Sequence, residues 1–123
     1  MSPLRRAIRE ALIGAEGQGD RLSRTFVFPA ESLVFAGHFP GKPVLPGVVH
    51  VLMAQVALED AGLPSSLERI VQAKFLTPVG PGSEIVMSCE PQGGGRWKVV
   101  FEADGECAGR LDLALAESPA GGE

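Results

Sequence analysis

Residues 48–61 carry the constraint that governs the rest of this chain. Of these fourteen residues only His50, Gln55, Glu59 and Asp60 are polar, which predicts a helix that is apolar on nearly every face. Such a helix has to be buried almost all round, so the remaining residues must wrap it. His50, Ala54, Ala57 and Ala61 fall on one stripe, small enough to let another backbone come close. Gly62-Leu63-Pro64 ends the helix, as a glycine cap followed by proline should.

The wrapping reads as strands. Leu22 to Phe28 is one, stopped by Pro29, and Glu68 to Leu76 is a second. Ser83 to Glu90 leads into a Gly93-Gly94-Gly95 loop. Trp97, Val99, Phe101 and Ala103 then alternate with Lys98, Val100 and Glu102, and Asp104-Gly105 is a hairpin signal. Cys107, Gly109, Leu111, Leu113 and Leu115 share the next period of two, which places one face of the sheet on the core. Ahead of these, Ser2-Pro3 opens a helix carrying Leu4, Ala7, Ile8, Ala11 and Leu12 on one side. Residues 1–20 are thus a helix and a loop, and residues 117–123 a flexible tail. The expectation is a single α+β domain over residues 1–123, an antiparallel sheet around one long helix. Joining two such sheets at their edges would protect the edge strands, so a dimer is expected.

Composition removes several functions. Eleven Lys and Arg against fifteen Asp and Glu give a net charge of −4, which argues against a nucleic-acid binder. No apolar run is long enough to span a bilayer, and the N-terminus lacks the apolar core of a signal peptide, so no membrane association and a cytoplasmic location are expected. Two cysteines, Cys89 and Cys107, make no disulfide framework, and both are read as buried, inert thiols. His38 and His50 have no companion ligands for zinc.

Directly before the apolar helix stands a stiff loop, in which Pro40, Pro43 and Pro46 fix the backbone while Gly37, Gly41 and Gly47 allow close approach. The segment "GHFPGKPVLPGV" (37–48) resembles the signature of the hotdog-fold 3-hydroxyacyl-[acyl-carrier-protein] dehydratases of the FabZ and FabA type, and is closer to FabZ. The later "AKFLTPVGPGSEIVM" (73–87) resembles the strand, turn and strand of the same family, and the similarity covers roughly residues 22–116. The resemblance implies a hotdog fold, a homodimer or higher homo-oligomer with joined sheets, and sites at the dimer interface. It implies that His38 takes the α-proton of a 3-hydroxyacyl thioester and that the Gly47 N–H binds the thioester carbonyl. Val48 and Leu52 would line the substrate site. The substrate would be carried on acyl carrier protein or coenzyme A, and no cofactor is implied. Histidine suits the proton step because its pKa lies near neutrality, and a helix N-terminus suits a developing oxyanion.

The resemblance breaks at one position. The carboxylate that such enzymes carry on the central helix corresponds to Leu52, or to Val51 if the register follows Ala54-Gln55. Glu59 is seven residues beyond Leu52, ~10.5 Å along the axis, and Asp60 points elsewhere. Three readings stand: an atypical dehydratase relying on His38, another acyl-thioester enzyme such as a thioesterase, or a non-catalytic acyl-chain or acyl-carrier binding protein. His50 is read as structural or interfacial, and Gln55 as a buried hydrogen-bonding residue. Phe26, Phe28, Phe39, Phe75, Phe101 and Leu113 are read as mostly core. Arg5, Arg6 and Arg9 form a basic helical face that is either solvated surface or, with Lys42 and Lys74, a docking surface for an acidic carrier.

Overall fold

The computed structural model describes residues 2–17, 21–36 and 43–116. Two helices and six strands follow in the order α1 (Pro3–Ala11), β1 (Leu12–Glu16), β2 (Leu22–Phe26), α2 (Gly47–Asp60), β3 (Leu67–Phe75), β4 (Ile85–Gly93), β5 (Arg96–Ala103) and β6 (Glu106–Leu115), with a short 3-10 turn at Leu33–Phe35. The strands form one antiparallel sheet in the spatial order β1-β2-β4-β5-β6-β3. The apolar helix is where it was expected. Val49, His50, Val51, Met53, Ala54, Val56, Ala57 and Leu58 of α2 are all buried. They share one core with Leu22 and Phe26 of β2, Ile85 and Met87 of β4, Val99 and Phe101 of β5, and Leu111 and Leu113 of β6.

Two local features depart from the sequence reading. The first is β1, which follows α1 directly where a loop was expected. Leu12-Ile13-Gly14-Ala15 carries no apolar–polar alternation, so no period of two announces it in the sequence; backbone pairing to β2 makes it a strand. The second is Cys107, which is exposed while Cys89 is buried. The β5–β6 register shifts next to Phe101, which pairs Gly109 while Glu102 pairs Cys107. The extra residue is Ala108, a bulge that turns Ala108 inward and Cys107 outward. Burial pushes the Cys89 thiol up to about 12, so that thiol is inert.

The expected basic face also resolves differently. Arg5 reaches Glu59 at 3.1 Å, and Arg9 reaches Glu59 at 2.9 Å and Asp60 at 2.8 Å. These arginines tie α1 to the end of α2, so two of the five cations considered for carrier docking already have intramolecular partners.

At the other sheet edge, β3 is drawn tightly onto β6. Phe75 pairs with Gly109, and a Cβ at Gly109 would lie 2.9 Å from the Lys74 carbonyl oxygen. That oxygen is backbone and cannot swing away. Gly109→Ala should therefore push β3 off β6 and lower stability by ~1–3 kcal/mol, readable as a reduced urea midpoint with an unchanged slope.

Candidate active site

The site is built at the start of α2. Pro46 occupies the N-cap position and provides no side-chain cap. The first helical N–H groups, at Gly47 and Val48, have no hydrogen-bond partner among the described residues. They are open donors at the positive end of the helix dipole. The approach to this end is pinned, because the Leu45 N–H donates to the Val79 carbonyl at 2.7 Å. This brings residues 43–46 against the turn that follows β3.

A cavity of about 390 Å³ opens there, lined chiefly by Val44, Leu45, Gly47, His50, Phe75 and Val79. Phe75, expected in the core, is 50% exposed and forms one wall. Its ring stands over Gly47 so closely that a Cβ there would lie 3.1 Å from it. Glycine at 47 thus leaves backbone donors facing an aromatic wall with no side chain between. A larger groove of about 530 Å³ runs between α1 and residues 29–33, bordered by Arg6, Glu10 and Glu31. It lies at a different place on the molecule and has no part in the site at α2.

His50 is the residue that sequence reasoning missed. It is 4% exposed and is the buried polar side chain of the core among the described residues. Its Nδ1 lies 2.9 Å from the Pro46 carbonyl oxygen. Its ring meets Phe75 and Phe101 edge-on, at 4.9 and 4.8 Å between centroids. Burial lowers its pKa below 6.5, and the hydrogen bond to Pro46 opposes that only in part. One signal for it was present in the sequence: His50 is three residues after Gly47 and therefore on the same side of the helix.

The other expected residues are distributed as follows. His38, Phe39 and Lys42 lie outside the described residues. Val48 is 61% exposed and Leu52 is half-buried. Neither lines the cavity; with Gln55 and Glu59 they form the outward stripe of α2. Gln55 is structural as expected, donating from its side chain to the Ser65 carbonyl at 2.9 Å. Glu59, held by Arg5 and Arg9, is not free to serve the cavity. Lys74 sits opposite Arg110 on the exposed face of β3 and β6. Among the described residues no cluster of His, Cys, Asp and Glu could hold a metal ion, and no helix is long and apolar enough to cross a membrane.

With this geometry in hand, the comparisons with known proteins decide the family. The model of the ApeI-like family, described as ApeI dehydratase, matches residues 15–110. The chain belongs to the ApeI-like dehydratase family. It is similar to the 3-hydroxyacyl-[acyl-carrier-protein] dehydratase FabZ of Sodalis glossinidius (strain morsitans), at 40% identity over 96 residues, which is 67% of this chain and 64% of that protein. The same enzyme of Pectobacterium atrosepticum is 38% identical over the same shares. The match thus spans a little under two thirds of the length of these curated relatives. Among solved structures, the dehydratase heterocomplex ApeI:P from Xenorhabdus doucetiae superposes with a TM-score of 0.77 at 21% identity, covering 85% of this chain and 96% of that one. The PaaI protein of E. coli superposes at 0.63 with 15% identity, covering 89% and 86%. These likenesses show the hotdog fold.

The buried imidazole makes a stability prediction. Unfolded, His50 takes up a proton near pH 6.5; folded, it does so only at lower pH. Between those values the unfolded chain binds more protons, so the contribution is fully present above the unfolded pKa and is lost as pH falls through the window. The slope from one such group is at most ~1.4 kcal/mol per pH unit. Urea unfolding between about pH 7.5 and pH 5.5 should show a smaller loss of stability for His50→Gln than for the native chain.

Proposed function

We propose that this chain is a 3-hydroxyacyl-thioester dehydratase that works as a pair of protomers. The observation that carries the reading is the uncapped start of α2, whose N–H donors at Gly47 and Val48 have no partner among the described residues, with Gly47 beneath Phe75 in an apolar cavity. Such donors stabilise the charge that develops on a thioester carbonyl oxygen when the α-proton leaves. His38, in the loop ahead of α2, is the base. Its proton account closes within one residue: His38 takes the α-proton, the electron pair forms the new carbon–carbon double bond, the bond to the hydroxyl oxygen breaks, and His38 returns the proton so that water departs. Leu52 has no part in proton transfer, and its absence as an acid slows the step by ~10²–10⁴-fold relative to a site with both groups. The substrate is an acyl thioester of acyl carrier protein or of coenzyme A.

Turnover of 3-hydroxyacyl thioesters on both carriers, followed by mass spectrometry, tests this. The expected result is loss of water by the native protein and none by His38→Ala. Release of free acid would identify a thioesterase instead, and no turnover by the folded native protein would favour a binding role.

The pairing of protomers rests on β3. Its far edge has no partner strand among the described residues, and all nine of its residues are exposed. Ile70, Ala73 and Phe75 nevertheless oppose Leu113, Leu111 and Gly109 of β6, so they belong to the core side of the sheet. At its Phe75 end the strand meets the start of α2 at Gly47 and His50, and α2 turns Val48 and Leu52 outward. An open edge flanked by an apolar strip fits a second hotdog protomer, strand β3 to strand β3. Ile70→Lys should then sediment as a folded monomer and lose turnover; full activity from that monomer would sink the two-protomer site. The pair could also be mixed, with a partner that carries the carboxylate this chain lacks. Leu52 on the outward stripe favours that second reading, and the similar ApeI protein is itself described in a heterocomplex. A rate that rises when a hotdog protein bearing that carboxylate is added would select it.

A further inference from the structure

We propose that His50 is a specificity-determining residue, whose Nε2 accepts a hydrogen bond from a hydroxyl on the third carbon of the bound acyl group. The inference rests on the acyl-thioester reading of this site.

A buried polar side chain costs stability unless its polar atoms are satisfied. An aliphatic residue between Phe75 and Phe101 would avoid that cost, yet position 50 is histidine. One nitrogen is accounted for. The Pro46 carbonyl can only accept, so Nδ1 carries the hydrogen and donates across the 2.9 Å contact. In a neutral imidazole the other nitrogen, Nε2, is then a bare acceptor. It has no partner among the described residues. No buried side-chain nitrogen or oxygen among them is left unsatisfied. His50 is one of the residues that line the cavity, so its acceptor stands at the cavity wall. Burial keeps the ring neutral and preserves its accepting lone pair.

An acceptor selects a donor. A thioester carbonyl offers only lone pairs, an unsubstituted alkyl chain offers nothing, and the N–H donors of a pantetheine arm lie on the far side of the sulfur, so on the acyl side of the carbonyl the donor is a hydroxyl. The cavity wall is otherwise mostly apolar, through Val44, Leu45, Phe75, Leu76 and Val79. Spacing sets which hydroxyl. The His50 ring reaches back one turn, its Nδ1 2.9 Å from the Pro46 carbonyl oxygen, so its other nitrogen stands a short span from the open N–H donors at the start of α2. A ligand complementary to them presents an acceptor and then a donor over that same short span. The carbonyl oxygen and 3-hydroxyl of a 3-hydroxyacyl thioester have that order and separation.

The test compares stable amide analogues of one 3-hydroxyacyl pantetheine thioester and of its 3-deoxy counterpart, by calorimetric titration. The native protein should bind the hydroxylated analogue ~10-fold tighter. In His50→Phe the preference should fall to about one with the 3-deoxy affinity retained, and His50→Gln, whose amide oxygen still accepts, should keep part of it. Equal native affinity for both analogues, or an unchanged preference in His50→Phe, overturns the inference while leaving the acyl-thioester site standing. No binding of either analogue by the native protein overturns both. Histidine nitrogen NMR of the native protein does not depend on any variant folding. The Nε2 resonance should be that of an unprotonated nitrogen and should move with the hydroxylated analogue alone. A protonated Nε2, or equal movement with both analogues, counts against the assignment. Should His50→Phe bind the 3-deoxy thioester normally but lose its hydrolysis, the histidine holds an attacking water instead and the inference fails.

Discussion

A helix with no polar face long enough to meet water sets the terms for this domain. Nearly every residue of α2 between Val49 and Leu58 is buried, and burial of that kind requires cover on several sides at once. The sheet supplies most of it. What the sheet cannot cover is the C-terminal end, where Glu59 and Asp60 sit at the negative end of the helix dipole with no basic residue of α2 beside them. Two carboxylates there oppose the dipole. The guanidinium groups of Arg5 and Arg9 neutralise them from α1. Each exposed pair contributes little alone, but together they give α1 a reason to pack where it does. Arg5 and Arg9 of the basic face of α1 are thus accounted for by the architecture.

At the opposite end of the same helix the logic reverses. Nothing in the described chain caps the first N–H groups, although a serine or aspartate at position 46 would have done so. Two glycines keep this end open and approachable. Gly109 lets β3 come close enough to β6 to carry Phe75 inward, and Gly47 accepts the Phe75 ring without interposing a side chain. The cavity follows from these two close approaches and from Leu45 anchored on Val79. The fold has stabilised the closed end of α2 with charge and left donors at the open end. A site for a ligand oxygen requires that asymmetry.

What the sequence made legible follows from which signals are local. Composition alone announced the buried helix, and β5 and β6 announced themselves by alternation. The Asp104-Gly105 turn, with positive φ at both residues, has the geometry its sequence suggests. β1 was silent because Leu12-Ile13-Gly14-Ala15 has no apolar–polar alternation, and its pairing to β2 is a property of two strands. The exposure of Cys107 was hidden because a bulge at Ala108 is a property of two paired strands, invisible in either one. The same holds at the site. Gly47 was legible from its motif, whereas the roles of Phe75 and His50 depend on which strand lands beside α2. A histidine between two phenylalanines twenty-five and fifty-one residues away in sequence is a tertiary fact.

Leu52 and His50 belong to one chemical argument. Under the proposed function the leaving hydroxyl must acquire a proton, and Leu52 has none to give. A neutral His50 whose Nδ1–H is committed to Pro46 has none either, since its remaining nitrogen only accepts. His50 can hold the hydroxyl in place but cannot protonate it. The proton must then come back from the base that removed it or arrive from another chain. The first route needs His38 to reach both the α-carbon and the hydroxyl from one position, which favours a substrate held with the two groups on the same side. The carbonyl on the α2 donors and the hydroxyl on Nε2 would impose such a conformation on the bond between the second and third carbons. A site that has lost its acid can in this way compensate by orientation, because correct geometry alone lowers barriers substantially.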